Sequence, residues 1–494
     1  MNRLNPTLLD GLPAGVQRPR FDRRALSPGI LHLGLGAFAR AHLLACNDDA
    51  LDAAPAAAWG VHGVSLRHAD VHDALSPQRG LYTLALRDAA GQRLRVIGSL
   101  LGVSVAPQQP HLLLDGIAAL STRVVSLTVT EKGYCHDPAT RRLRLDHPDI
   151  AHDLAHPDAP RSAIGFLAHG LAMRRTQGGA PLTLMSLDNL PANGDTLHGL
   201  VLAFAERVSS GLARWIEREC TFPNSMVDRI VPRATDADRA RSAAELGCDD
   251  AAAVVAEPYL AWAVEDRFAS GRPDWSRGGA RFVERAAPWE HLKLRMLNGA
   301  HSTIAYLGLL GGWATVDAAI AQPALLAFVD GLMRDEIAPT LAGALPGVDL
   351  AGYRAELLAR FANPALAHRT AQIAMDGSQK LPQRLLETVR DRLATGAPID
   401  RLALALAAWL VHLRGHDDGG RGLALDDPLA PALRELHAAA MALPTPLARA
   451  AAFSRFAPVF GDLGERPPFV EPLARGLDAL TTHGVAATLE RFGR

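Results

Sequence analysis

The chain has 494 residues, room for roughly two or three domains, and its 48% hydrophobic and 21% charged content is that of a globular protein. A formal net charge of −1 excludes the basic footprint of a nucleic-acid binder. All but three of the 51 basic side chains are arginine; the lysines are Lys132, Lys293 and Lys380. Arginine serves wherever a permanent charge suffices and fails wherever a site must release a proton. Each surviving lysine is therefore a candidate for chemistry.

The opening stretch MNRLNPTLLDGLPAGVQRP has no continuous apolar core and does not read as a signal peptide. Strand-like runs follow: GILHLGLG (29–36), WGVHGVSL (59–66), LYTLALR (81–87), RLRVIGSL (93–100), RVVSLTVT (123–130) and PLTLMSL (181–187), with DAAG (88–91) as a hairpin turn. Helical stretches separate them, which predicts a largely parallel sheet with helices on its faces. From about residue 285 the chain turns Ala/Leu-rich with helical period, and helices are expected over 288–309, 324–334, 352–361, 382–394, 401–414 and 430–442. The fold class is thus α/β: a Rossmann-type dinucleotide-binding domain over 1–285, then a mostly α-helical substrate and catalytic domain over 286–494. The boundary is expected near the Gly-rich segment ASGRPDWSRGGARF (269–282). LALALAAWLVHLRG (402–415) is too short to span a bilayer and reads as a buried helix. The four cysteines are scattered without a CxxC, which fits a reducing cytoplasm and no thiolate metal site. His152 and His156 lie four apart but lack an HExxH context, so no metal is expected.

The first strand runs into Gly34-Leu35-Gly36-Ala37-Phe38-Ala39, a GxGxxA turn between strand and helix. The first glycine permits the turn, the second admits a pyrophosphate, and a small third residue lets helix and strand pack. The second strand ends Ser65-Leu66-Arg67-His68, with no acid to hold an adenosine 2′-hydroxyl. Arg67 would accept a 2′-phosphate or stack on adenine, so local chemistry leaves both NAD and NADP open.

Lys293 lies in HLKLRMLNGAH (291–301). At about 100° per residue, with Lys293 at zero, Glu290 falls near 60°, His301 near 80°, Asn298 near 140° and Arg295 near 200°. Lys293, Glu290, Asn298 and His301 thus share one face. Asn298-Gly299 is a poor helix interior, Gly costing about 1 kcal/mol relative to Ala, and such a breach marks a site. Gly299 would also admit a close backbone or ligand. Oxidising a secondary alcohol beside a dinucleotide requires a base for the hydroxyl proton, and a desolvated lysine is one. Amide donors stabilise the alkoxide without competing for the proton. Asn298 offers one donor, and Asn189, beyond the strand at 181–187, offers a second. Histidine orients the hydroxyl, and Glu290 would pass the proton to solvent.

The pieces GLGAFARAH, TVTEKGYC, SLDNLPANG, FPNSMVDRIVP, AEPYLAWAVED, KLRMLNGAH and IAMDGSQKLPQR together resemble the mannitol dehydrogenase family of polyol-specific long-chain dehydrogenases. The resemblance implies NAD dependence without a metal. It implies Lys293 as general acid/base, Asn189 and Asn298 on the reacting oxygen, His301 assisting, and Glu131, Val227 and Asp228 near the cofactor. TEKGYC and MDGSQKLPQR look most like fructuronate reductases, whose substrate carries a carboxylate. Arg369, Lys380 and Arg384 are the candidate cations for it, the two arginines foremost. The expected reaction is reduction of D-fructuronate to D-mannonate. The alternatives are neutral polyols, mannitol or arabinitol, and a non-catalytic dinucleotide sensor. A retired enzyme would have eroded Lys293, Asn298 or His301, and all three are present. The expected partner is a small sugar acid or polyol, with no nucleic acid, membrane or obligatory protein partner.

Overall fold

Short apolar runs rich in β-branched residues, each followed by a helical stretch, assemble as parallel strands. The computed structural model describes residues 2–54, 58–137, 140–365 and 368–492. The chain divides into two units, Met1–Ala287 and Pro288–Arg494.

The strands of the first unit are β1 Pro28–Leu33, β2 Gly60–Ser65, β3 Tyr82–Asp88, β4 Gly91–Ile97, β5 Leu100–Val105, β6 Val124–Leu127, β7 Leu182–Ser186, β8 Cys220–Thr221, β9 Ser225–Asp228, β10 Val254–Ala256, β11 Ala261–Glu265 and β12 Ala280–Val283. Six form one parallel sheet in the order β5-β2-β1-β6-β7-β8. The order reverses at β1: β2 lies on one side of it and β6 on the other. Such a switch point opens a crevice beyond the carboxyl ends of the strands. Two small sheets, β10-β3-β4 and β12-β11-β9, complete the unit. The expected α/β class, with a Rossmann-type sheet followed by helices, is the class observed.

Two expectations in this unit are corrected. The run 93–100 is two strands, because β4 pairs antiparallel with β3 while Leu100 opens β5, which runs parallel to β2. The Gly-rich segment 269–282 is no linker. It carries the 3-10 turn Trp275–Gly278 and β12, and Trp275 is fully buried, its indole N–H donating to Asn47 Oδ1 at 3.0 Å.

His32 sits inside β1 with no exposed surface. Its Nδ1 lies 2.8 Å from Ser126 Oγ and its Nε2 3.0 Å from Thr128 Oγ1. Burial pulls its pKa down to about 4. Between pH 6.5 and 4 the unfolded chain therefore binds a proton that the native state refuses, and stability falls as pH falls through that window. We expect His32→Gln to flatten the stability-versus-pH profile there by up to roughly 3 kcal/mol, even if the variant is less stable at neutral pH. Urea melts at pH 4.5 and 7 check this; an unchanged slope would assign the acid sensitivity elsewhere.

In the second unit the helix Asp400–His412 is buried from Leu402 to His412, as a helix apolar on all faces must be. The helix Ala300–Leu310 and the helical segment Pro467–Phe492, two helices that meet at a kink at Gly484, pack on it. The latter was not expected from the sequence, because Pro467, Pro468, Pro472 and Gly484 interrupt its pattern. No helix among the described residues is long and apolar enough to cross a membrane. The expected single helix over 288–309 is three segments: an α-helix Ala287–Leu292, a π-helix Lys293–Gly299 and an α-helix Ala300–Leu310.

Candidate active site

A cavity of about 330 Å³ opens at the switch point of the first unit. Its walls come from the carboxyl ends of three strands: Gly34 to Gly36 after β1, Ser65 to His68 after β2, and Thr128 to Thr130 after β6. Gly34 has φ +84°, and a Cβ there would stand 2.2 Å from the Thr128 carbonyl oxygen, so only glycine fits. A Cβ on Gly36 meets nothing nearer than 3.8 Å and would project into open space. Thr128 Oγ1 donates to the Gly34 carbonyl at 2.7 Å and so ties the glycine turn to β6. Ala37 and Phe38 open the short helix that follows, and the Phe38 ring stacks on His42 at 5.1 Å. Arg67 and His68 are exposed at the rim.

Asp188 braces this rim from the end of β7. It accepts the backbone N–H groups of Val129 and Thr130 at 2.9 and 3.0 Å and the Tyr134 hydroxyl at 2.7 Å. Thr130, thus held, has φ +63°, a strained value for a β-branched residue. Burial holds the Asp188 carboxyl above its ordinary range. Asn189 follows it and is exposed beyond the strand end. Asn193, the next amide along, serves the fold: its Nδ2 donates to the Ser225 carbonyl at 2.8 Å and its Oδ1 accepts the Ser225 N–H at 2.8 Å. This anchors β9, on which Val227 and Asp228 are buried. Glu131 is exposed on the 3-10 turn Glu131–Tyr134 and, unlike Thr130 and Gly133, does not line the cavity. His152 and His156 stack on each other at 4.3 Å. Among the described residues one trio with metal-donor chemistry, Cys135, His147 and Asp149, has donor atoms within 4.8 Å of one another. His147 Nδ1 already caps a helix there, accepting the Asp149 N–H at 3.2 Å.

In the second unit the π-helix decides the geometry of the lysine cluster. An i→i+5 closure brings residue i+5 back over residue i. Asn298 is five residues after Lys293, so the pair that α-helical winding would separate by about 140° returns to one side within a single π turn. Arg295, expected on the far side, is buried there and donates to Asp391 at 2.6 Å and to Thr340 at 2.9 Å. Glu290 lies in the α-helix preceding Lys293. His301 opens the next helix, buried, its ring 4.7 Å from Phe361 and 5.6 Å from His368. Burial first, then His368, Arg360 and Arg384, hold its pKa well below the ordinary value. His301 is therefore a neutral imidazole at working pH, suited to orienting a hydroxyl.

Gly299 acts as expected of it. A Cβ there would stand 2.9 Å from the carbonyl oxygen of Arg384, so glycine lets a second π-helix, Pro382–Leu386, lie against the first. Arg384 then donates from Nη1 to Ser302 Oγ at 3.0 Å, next to His301. Lys380 Nζ donates to the Met375 carbonyl at 2.6 Å and lies 3.7 Å from Asp376. Burial, then Arg384, lower its pKa. Arg369 is placed differently: it is exposed at the edge of another cavity, of about 430 Å³, lined also by His412 and Asp426. Sequence reasoning missed Arg360, Phe361 and His368 around His301. They lie 59 to 67 positions downstream and carry no local signal.

The first unit is of the Rossmann class, and the second is a helical unit built around a lysine-bearing π turn. Residues 28–277 match the mannitol dehydrogenase Rossmann domain and residues 285–481 the mannitol dehydrogenase C-terminal domain. D-mannonate oxidoreductase of Escherichia coli is 43% identical over 86% of this chain and 87% of its own. Mannitol 2-dehydrogenase of Phaeosphaeria nodorum is 38% identical over 97% and 83%. The structure of Pseudomonas fluorescens mannitol 2-dehydrogenase, a ternary complex with NAD and D-mannitol, superposes with a TM-score of 0.83 at 35% identity, covering 99% of each chain. The chain belongs to the mannitol dehydrogenase family of oxidoreductases.

Proposed function

We propose that this protein is an NAD-dependent dehydrogenase that interconverts a sugar-acid ketone and its secondary alcohol, D-fructuronate and D-mannonate. The dinucleotide belongs to the first unit and the acid/base chemistry to the second. The observation that carries the reading is the π turn that sets Lys293 and Asn298 on one side with neutral His301 beyond. The cavity at the switch point suits a dinucleotide: Gly34 makes the turn, Gly36 leaves room for a pyrophosphate, and Arg67 lines the wall after β2, the strand whose end serves the adenosine ribose in dinucleotide folds. Ala37, Phe38, Glu131, Val227 and Asp228 complete the proposed cofactor residues.

When bound, NADH supplies the hydride to the carbonyl carbon. Lys293, as ammonium, gives its proton to the carbonyl oxygen as negative charge develops there. The donor amides of Asn298 and Asn189 stabilise that charge. His301 orients the hydroxyl, and Glu290 exchanges the lysine proton with solvent. In the reverse direction Lys293, as free amine, takes the hydroxyl proton.

The likeness to D-mannonate oxidoreductase, together with Arg384 beside Ser302, favours the sugar acid. The mannitol 2-dehydrogenases, similar over nearly the whole chain, support a second reading, fructose and mannitol. The test is the loss of NADH absorbance on adding D-fructuronate, then D-fructose. Faster turnover of fructose would overturn the sugar-acid reading. Repeating the assay with NADPH and with Arg67→Ala shows whether Arg67 selects the cofactor. We expect the variant to lose more rate with NADPH than with NADH.

A further inference from the structure

Arg384 is partly buried beside the lysine cluster, yet among the described residues no acidic side chain lies within ion-pair distance of it. Its side-chain partner is neutral: the Ser302 hydroxyl. Desolvation lowers its pKa, and the group that opposes this is the Tyr306 hydroxyl. Elsewhere in this chain shielded arginines are met by a carboxylate, as Arg295 is by Asp391 and Arg87 by Asp238, or by several backbone carbonyls, as Arg174 is by those of Ile117, Ala119, Thr122 and Ala180; the hydrogen bond of Arg384 to Ser302 is neither. A desolvated cation left without a counter-ion is destabilising unless a ligand supplies one.

A second arginine, on another element, neighbours the residue that packs on His301. Arg360 is the last residue but one of the helix Leu350–Phe361, is buried, and precedes Phe361, whose ring lies on His301. Both arginines act electrostatically on His301. Arg384 is held in position by backbone, since its own carbonyl rests against Gly299. Two arginines from separate helices thus act on the residue that follows Asn298 by less than one helical turn.

We propose that Arg384, with Arg360, binds the carboxylate of the substrate whose ketone is handled by Lys293, Asn298 and His301; this rests on the reading of Lys293 above. A ketohexuronate fits, because its carboxylate lies a few carbons from its ketone. The charged oxygens meet the planar fork of Arg384, which accommodates two of them at once. Arg369, exposed at the cavity lined by His412 and Asp426, is left out of this proposed site.

The experiment has two arms. In the first, Kd for D-mannonate is measured by calorimetry on the NAD-saturated protein in a Lys293→Ala background, which removes turnover. Arg384→Gln and Arg360→Gln should each weaken D-mannonate by about a hundredfold, the range of a lost buried charged contact. Arg384→Lys should recover part of the loss, and Arg369→Gln should change nothing. In the second arm, NADH binding to each variant is followed by fluorescence. Unchanged NADH affinity certifies folding and excludes the cofactor phosphates as the arginines' ligand. Unchanged D-mannonate affinity in both glutamine variants, or a parallel loss of NADH affinity, would overturn the proposal. If the wild type reduces only neutral ketoses, the substrate reading fails by itself. The carboxylate site then stands if D-mannonate binding still depends on Arg384 and Arg360, and falls if D-mannonate does not bind.

Discussion

Lys293→Ala lowers turnover by about 10²–10⁴-fold, the usual contribution of a general acid/base, and leaves NADH affinity within about twofold. The proton, and not the nucleotide, is what Lys293 handles, so kcat and kcat/KM fall together while cofactor binding does not. Lys293→Arg should be nearly as damaging, because guanidinium keeps the charge but cannot release the proton. Steady-state rates and an NADH fluorescence titration on both variants check this. An arginine variant with wild-type activity would show that only charge is required at this position. The chain makes the comparison informative, since arginine replaces lysine almost everywhere else in it.

Gly34→Ala and Gly36→Ala should separate folding from cofactor binding. At Gly34 the added methyl would lie 2.2 Å from the Thr128 carbonyl oxygen, and the residue must hold φ +84°. The left-handed conformation alone costs about 1–2 kcal/mol for an L-residue, and the collision must displace β6 or the turn. We expect the Gly34 variant to lose several degrees of thermal stability and more than about tenfold in NADH affinity. Gly36 has φ −83°, which alanine adopts freely, and open space where its Cβ would go. Its variant should keep wild-type stability and still lose NADH affinity, since the methyl stands where the pyrophosphate would approach the backbone. Thermal melts without cofactor, paired with NADH titrations, distinguish the two. Equal NADH affinity in the Gly36 variant and the wild type would place the cofactor elsewhere.

Much of the site was legible because its signals are local. The GxGxxA turn needs a strand, two glycines and a helix in immediate succession, and chain order supplies them. Lys293 stands out by composition alone, and Asn298-Gly299 by breaking the helical pattern around it. Where local rules conflict, the sequence misleads: RLRVIGSL read as one strand although its two ends join different sheets, and Trp275 was lost inside a Gly-rich stretch that looked like a linker. Prolines likewise hid the kinked helical segment Pro467–Phe492.

Residue types and their spacing were thus settled by the sequence: a glycine turn after the first strand, a lysine, an amide and a histidine five and three residues apart, and a net charge of −1. The angle at which those side chains meet was not. An α-helix and a π-helix differ by one residue in hydrogen-bond closure, and the same letters accept either. The π form here packs against a second π turn through Gly299, and that contact lies 85 residues away in the chain. The surroundings of His301 follow the same logic, since Arg360, Phe361, His368 and Arg384 reach it only through helix packing. Tertiary structure also separated Arg369 from Arg384, two arginines that sequence alone treated as equals. A side chain's electrostatic role depends on burial and on neighbours remote in sequence, and neither is written in its own segment.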